Sequence, residues 1–326
     1  MSIDPDFAKT VPLDLTELNA DFADAIDQLL SDLSGLLLDP PAATHFLVRL
    51  DHLVDRMGDL MRSDTDGLLF VLFQKAQYDL TGYSAAHALR CALLCQLCAA
   101  ELRMRSSEAG CLVGAALTMN IAITALQNEL ALQMGEPTPP QRQAIQSHAV
   151  KGRLKLAALG ISNELWLDTV ATHHEIVSPL HGAALENPSI YLPRVLGLVD
   201  QFVARLTPRS SRQAHSAMQI AEAVHSPGAP SYDAAAAAIV KALGVCPPGT
   251  YVNLVNGEIA VVVKQGARAN QPLVASVTPS GSTGQNKIRL MDCALPEFMV
   301  NGSVLASDLD IVQPDYRKLV RLLPKA

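Results

Sequence analysis

The stretch Ala85-Ala86-His87-Ala88-Leu89-Arg90-Cys91-Ala92-Leu93-Leu94-Cys95-Gln96-Leu97-Cys98-Ala99-Ala100 decides the fold class. It reads as one long apolar helix, Ala85 to Met104, rich in Ala and Leu with no glycine or proline to interrupt it. The run is too short to span a bilayer, and it carries His87 and Arg90. It therefore belongs inside a protein core. Composition agrees: of 326 residues, 49% are hydrophobic but only 4% aromatic, a balance that favours packed helices over a β-sandwich. Cys91, Cys95 and Cys98 have a spacing that could hold an iron–sulfur cluster. On an uninterrupted helix they read instead as core thiols, since free cysteine packs as a small hydrophobe.

Towards the N-terminus the pattern stays helical. Met1 to about Leu15 is polar and reads as a loose arm. Leu18, Phe22, Ile26, Leu29, Leu30 and Leu33 recur at helical spacing until Asp39-Pro40-Pro41 ends the run. Phe46 to Leu60 predicts a second helix, Asp64-Thr65-Asp66-Gly67 a turn, and Leu68 to Tyr78 a third helix. Towards the C-terminus, one or two helices are expected in Ser107 to Ala131, and Pro137, Pro139 and Pro140 break the chain. Helices are expected again over Gln141 to Leu159, Asn163 to Glu175, Tyr191 to Arg205, Ala214 to Val224 and Tyr232 to Leu243. Ser178 to Pro193 reads as a loop. After Pro247-Pro248-Gly249 the period changes. Tyr251 to Val255 and Glu258 to Lys264 predict strands joined by Asn256-Gly257, a strong hairpin turn. Further strands are expected near Leu273 to Val277 and Lys287 to Asp292, with a short helix near Tyr316 to Leu323.

Formal net charge is −7 with no basic block, which argues against extended nucleic-acid binding and leaves room for a small anion held by a few arginines. The six cysteines lack disulfide-framework density, and there is no signal peptide or membrane span. The expectation is a cytoplasmic protein with reduced thiols.

Histidines punctuate the central region. His87 comes first, then His148, then the pair His173-His174 before Glu175, and after them Asp200 in Val199-Asp200-Gln201-Phe202. Adjacent histidines on a helix diverge by about 100°, so His173 and His174 can reach one cavity only if the helix ends there. Taken alone, the pair reads more readily as exposed residues favoured by a helix C-terminus than as ligands. In order and spacing, these residues resemble the HD-GYP branch of the HD phosphohydrolase superfamily, from roughly Tyr78 to Val224. The segment Asn256-Gly257-Glu258-Ile259-Ala260-Val261-Val262 is similar to one that often follows such domains.

The resemblance implies a mainly α fold, an HD-type helical bundle with N-terminal helices and a small C-terminal β-rich module. Residues 1–78 would form the helical lead-in, 79–243 a degenerate HD-GYP-like domain, and 244–326 the β-rich module. It implies metal ligands at His87, His148, His173, His174 and Asp200, converging in one cavity, and a phosphate-facing role for Arg209 and Arg212. The family hydrolyses cyclic di-GMP with two or three metal ions. Its His-Asp doublet, however, falls on Met119 and Asn120, its lysine on Ile123 and its glutamate on Tyr83, and the Gly-Tyr-Pro signature is absent. Paired cations about 3.5–4 Å apart need anionic bridging, which Asn120 does not offer, and a Met119 thioether is a soft ligand. The expectation is therefore a non-catalytic signalling or interaction module. It would carry no metal or one divalent ion, with iron, manganese, zinc and nickel all compatible. Cyclic di-GMP or another phosphate compound, a signalling protein or a second copy of the chain are the partners that fit. The alternative is a metal-dependent phosphodiesterase or phosphohydrolase with a reduced metal site.

Overall fold

The computed structural model describes residues 20–175, 180, 182–208, 210, 215, 233–268, 270–277 and 289–309. Among them the chain is mainly α, with a five-stranded antiparallel sheet after the last helix. The helices are α1 (Ala20–Leu38), α2 (Ala43–Tyr78), α3 (Tyr83–Glu101), α4 (Ser106–Thr118), α5 (Thr124–Leu132), α6 (Pro139–Ala158), α7 (Glu164–Thr172), α8 (Pro188–Leu206) and α9 (Ala234–Leu243). The expected helices at Ala214 to Val224 and Tyr316 to Leu323 lie outside the described residues.

The stretch that predicts a core helix becomes α3, which packs against α1, α2, α4, α5, α8 and α9. Its buried residues include Ala88, Leu89, Cys91, Ala92, Leu93, Leu94, Cys95 and Cys98, so no face is left to water over its middle turns. The three thiols are free and buried, as core residues. Around α3, Ile26, Leu29, Leu33 and Leu36 of α1 and Phe70, Phe73 and Leu72 of α2 fill the same core.

Two local readings are corrected. The turn expected at Asp64 to Gly67 is a kink inside α2: Asp64 leaves helical geometry (φ −163°, ψ 94°), and its Oδ1 accepts the Gly67 N–H at 2.9 Å. The side chain thus caps the second half and lets the helix restart without a loop. The Pro-rich loop is also shorter than expected. Asn187 accepts the Ser189 N–H and Pro188 opens α8, with Pro193 inside the helix. Proline is tolerated in a first turn because those N–H groups lack intrahelical acceptors.

The strands are β1 (Tyr251–Leu254), β2 (Ile259–Lys264), β3 (Leu273–Ser276), β4 (Leu290–Asp292) and β5 (Val300–Val304), in the order β4-β3-β2-β1-β5. The hairpin forms at Asn256-Gly257, with Gly257 at φ 83° and Tyr251 opposite Val261. β2 lies at the centre and alternates its faces. Val261 and Val263 join the helical core, while Ala260 and Val262 pack with Val252, Leu254, Val274 and Met291 in a second apolar cluster. No helix among the described residues is long and apolar enough to cross a membrane.

A polar junction ties the sheet to α2. The Tyr78 and Tyr251 hydroxyls are 2.6 Å apart. Tyr251 also donates to Gln74 Oε1 at 3.3 Å, and Gln74 Nε2 donates to the Gly249 carbonyl at 2.7 Å. Removing the Tyr251 hydroxyl leaves the buried Gln74 acceptor without that donor. Tyr251→Phe should therefore lower the unfolding free energy by about 1–3 kcal/mol in denaturant titration, and an unchanged value would show the junction to be energetically neutral.

Candidate functional site

The site is assembled from the ends and middles of four helices. Thr138 caps α6 by accepting the Gln141 N–H, while Gln141 Oε1 accepts the Thr138 N–H at 2.8 Å. This fixes where α6 begins and hence which face His148 occupies. Asn163 caps α7, accepting the Trp166 N–H at 3.1 Å. The Trp166 ring covers Gly114 of α4, where a Cβ would overlap it, and its Nε1–H donates to Thr118 Oγ1 at 3.1 Å. α7 is thereby held against α4. It ends at Thr172, so His173 and His174 leave the helix together. α8 then crosses closely: a Cβ on Gly197 would overlap the His173 carbonyl oxygen. Only glycine permits that approach, and it brings Asp200, one turn later, to the same region.

The ligand atoms of His148, His173 and His174 all lie within 4.8 Å of one another. Ring centroids are 5.4 Å apart for His148 and His173, 4.9 Å for His148 and His174, and 3.9 Å for His173 and His174. His148 and His173 are buried and His174 is exposed, so the group opens to solvent on one side. Each buried imidazole is oriented in the same way. His148 Nδ1–H donates to the Ile145 carbonyl at 2.5 Å, and His173 Nδ1–H to the Val170 carbonyl at 2.7 Å. Both Nε2 atoms are buried without a hydrogen-bond partner. A backbone acceptor on Nδ1 with a bare Nε2 is the orientation that metal-binding histidines use. Burial pushes the His148 pKa down, with His174 adding to the effect. Burial and then His174 push His173 down to about 4. Both rings are neutral at physiological pH, the form that ligates metals.

A second group sits beside the first. His87 Nε2 lies 2.7 Å from Asp200 Oδ1, and Cys91 Sγ lies 3.5 Å from the same nitrogen. Asp200 is 15% exposed. Burial raises its pKa, but the hydrogen bond with His87 and the electrostatic influence of the His87, His173 and His174 imidazoles outweigh this and hold the carboxyl well below the ordinary range. The Tyr83 ring stacks on His87, with centroids 5.7 Å apart and planes within 14°. Burial raises the Cys91 thiol well above its usual value, so it is protonated.

The structure thus places His148, His173 and His174 in one candidate metal-binding group and His87 and Asp200 in another. Met119 and Asn120 are buried at the end of α4. The Met119 carbonyl oxygen lies 3.4 Å from the Cβ position of Gly152, one turn beyond His148. Arg209 and Arg212 lie outside the described residues. Cys91, read from the sequence as a core thiol only, is a neighbour of His87 as well; its spacing of four residues from His87 was the available signal. No family model matches the chain, and no curated protein and no solved structure matches it.

The depressed imidazole pKa values have a thermodynamic consequence. Between pH 6.5 and about 4 the unfolded chain protonates His173 while the folded chain does not. The unfolded state then binds more protons, so stability must fall as pH falls through that window. For chelator-treated protein, His173 alone should contribute a loss of roughly 3 kcal/mol, and His173→Gln should flatten the slope. A pH-independent unfolding free energy in urea titrations between these limits would contradict the buried neutral imidazole.

Proposed function

We propose that this chain is a non-catalytic helical module of HD-GYP type that holds a single divalent ion on His148, His173 and His174 and serves in signalling or protein interaction. The observation that carries the reading is the pair of buried, unpartnered Nε2 atoms on His148 and His173, each fixed by a backbone acceptor on Nδ1. A neutral nitrogen set of this kind suits iron, zinc or nickel better than manganese. When bound, such an ion would supply Lewis-acid chemistry at the solvent side that His174 leaves open.

Hydrolysis by paired cations fits the residues poorly. The bridging position carries Asn120, the adjacent position Met119, and Tyr83 stands where a further carboxylate would be needed. His87 and Asp200 already satisfy each other at 2.7 Å. Opening that pair to admit a second cation would cost a charge-assisted hydrogen bond in a largely buried site. A cytoplasmic setting is part of the same proposal, as is a phosphate ligand such as cyclic di-GMP at Arg209 and Arg212.

Metal analysis of protein purified in excess manganese, iron, zinc or nickel should find a single ion per chain, lost in His173→Ala. Either no ion or two ions would overturn the reading. The same loaded protein should not turn over cyclic di-GMP, and turnover abolished by His148→Ala would establish the alternative of a surviving phosphodiesterase. Calorimetric titration with cyclic di-GMP should give weak binding that an Arg209→Ala/Arg212→Ala double variant loses. Equal affinity in both proteins would exclude those arginines.

A further inference from the structure

α3 carries a second buried polar group one turn beyond His87. The Arg90 side chain is 1% exposed, and its Nε–H has no hydrogen-bond partner. One Nη–H reaches the Leu72 carbonyl at 3.4 Å, a long bond. Among the described residues no carboxylate pairs with this guanidinium. The nearby ionisable groups that act on it are Tyr83 and Cys91, and burial works against its charge. Arginine keeps its proton inside proteins, and an unpaired buried charge is among the costliest features a core can contain. Such a group calls for an anion.

Space for one is present. Arg90 lines a cavity of about 320 Å³ between α1, α2 and the first turn of α3, a volume within the range of small-ligand sites. Ser31, Ser34 and Thr81 are among the lining residues. Gly82 precedes α3, and Gly82, Tyr83 and Ala86 also line the cavity; the first N–H groups of α3 are already bonded, that of Tyr83 to the Leu80 carbonyl at 3.2 Å and that of Ser84 to Asn128 Oδ1 at 2.8 Å. The guanidinium is therefore the feature of this wall that calls for an anion. The remaining charges there are balanced or held. Lys75 pairs with Asp27 at 2.5 Å, and Asp79 Oδ1 accepts the Thr81 N–H at 2.8 Å.

We propose that this cavity binds the carboxylate or phosphate group of a small metabolite, with Arg90 as the recognising residue. The guanidinium edge matches either oxyanion with two parallel hydrogen bonds. The site is independent of the metal reading, because none of its lining residues is among the histidine ligands.

Thermal unfolding of the metal-free full chain in sodium acetate, sodium phosphate and sodium chloride at equal ionic strength tests the assignment. Wild type should gain at least ~2 °C in acetate or phosphate over chloride, saturating with concentration. A response to acetate alone identifies a carboxylate ligand, and one to phosphate alone a phosphate ligand. Arg90→Met should be more stable than wild type in chloride and should lose the saturable response, while Arg90→Lys should retain only part of it. Ser34→Leu leaves Arg90 in place but fills the cavity, and should also lose the response; it serves if Arg90→Met does not fold. No saturable response in wild type, or a full response in either Arg90→Met or Ser34→Leu, overturns the proposal.

Discussion

The burial of α3 on every side of its middle turns constrains the rest of the structure. A helix with no solvent-facing stripe must satisfy each of its polar side chains inside the protein, because an unpartnered buried polar group costs more than a typical hydrogen bond returns. Ser84 does so through Gln127, its Oγ donating to Oε1 at 2.7 Å. His87 does so through Asp200 on α8, which fixes how α8 crosses α3. Arg90 is the exception, and the cavity beside it follows from the same constraint. The apolar residues of α3 could pack against many neighbours; its few polar ones admit very few.

The histidine cluster depends on a second constraint, the termination of α7. Were α7 to continue, His173 and His174 would point about 100° apart. Ending the helix at Thr172 lets both rings turn towards His148. The Gly197 contact then holds the His173 backbone against α8. Fixing each Nδ1–H on a carbonyl three residues earlier removes the rotational and tautomeric freedom of the rings. Two bare nitrogens are thereby presented at little further entropic cost. The same groups lack an anionic bridge, so the arrangement favours one soft-to-borderline cation over a pair of hard ones.

The sheet adds a layer that packs on α2 through β2. One face of β2 and β3, through Val261, Val263 and Ala275, completes the helical core. The other face is closed by Cys246, Met291 and Cys293. β5 adds to the edge beside β1, pairing Tyr251 with Val304, and so flanks the strand that carries the polar junction to α2.

Patterns with a local physical cause were legible in the sequence. Apolar spacing marked the helices, the break in period after Pro248 marked the sheet, and Asn256-Gly257 marked the hairpin, since each depends on the conformational preferences of adjacent residues. The order of His87, His148, His173, His174 and Asp200 pointed to one candidate site. Other features were decided only by tertiary contacts. β5 was not expected because Val300-Asn301-Gly302-Ser303-Val304 has weak strand propensity and is held by its pairing with β1. The Asp64 kink and the early start of α8 turned on single capping side chains. The pairing of His87 with Asp200, the nearness of Cys91 and the isolation of Arg90 join or separate residues across different helices. Spacing along a chain specifies which face of a helix a side chain occupies, but only packing specifies what that face meets.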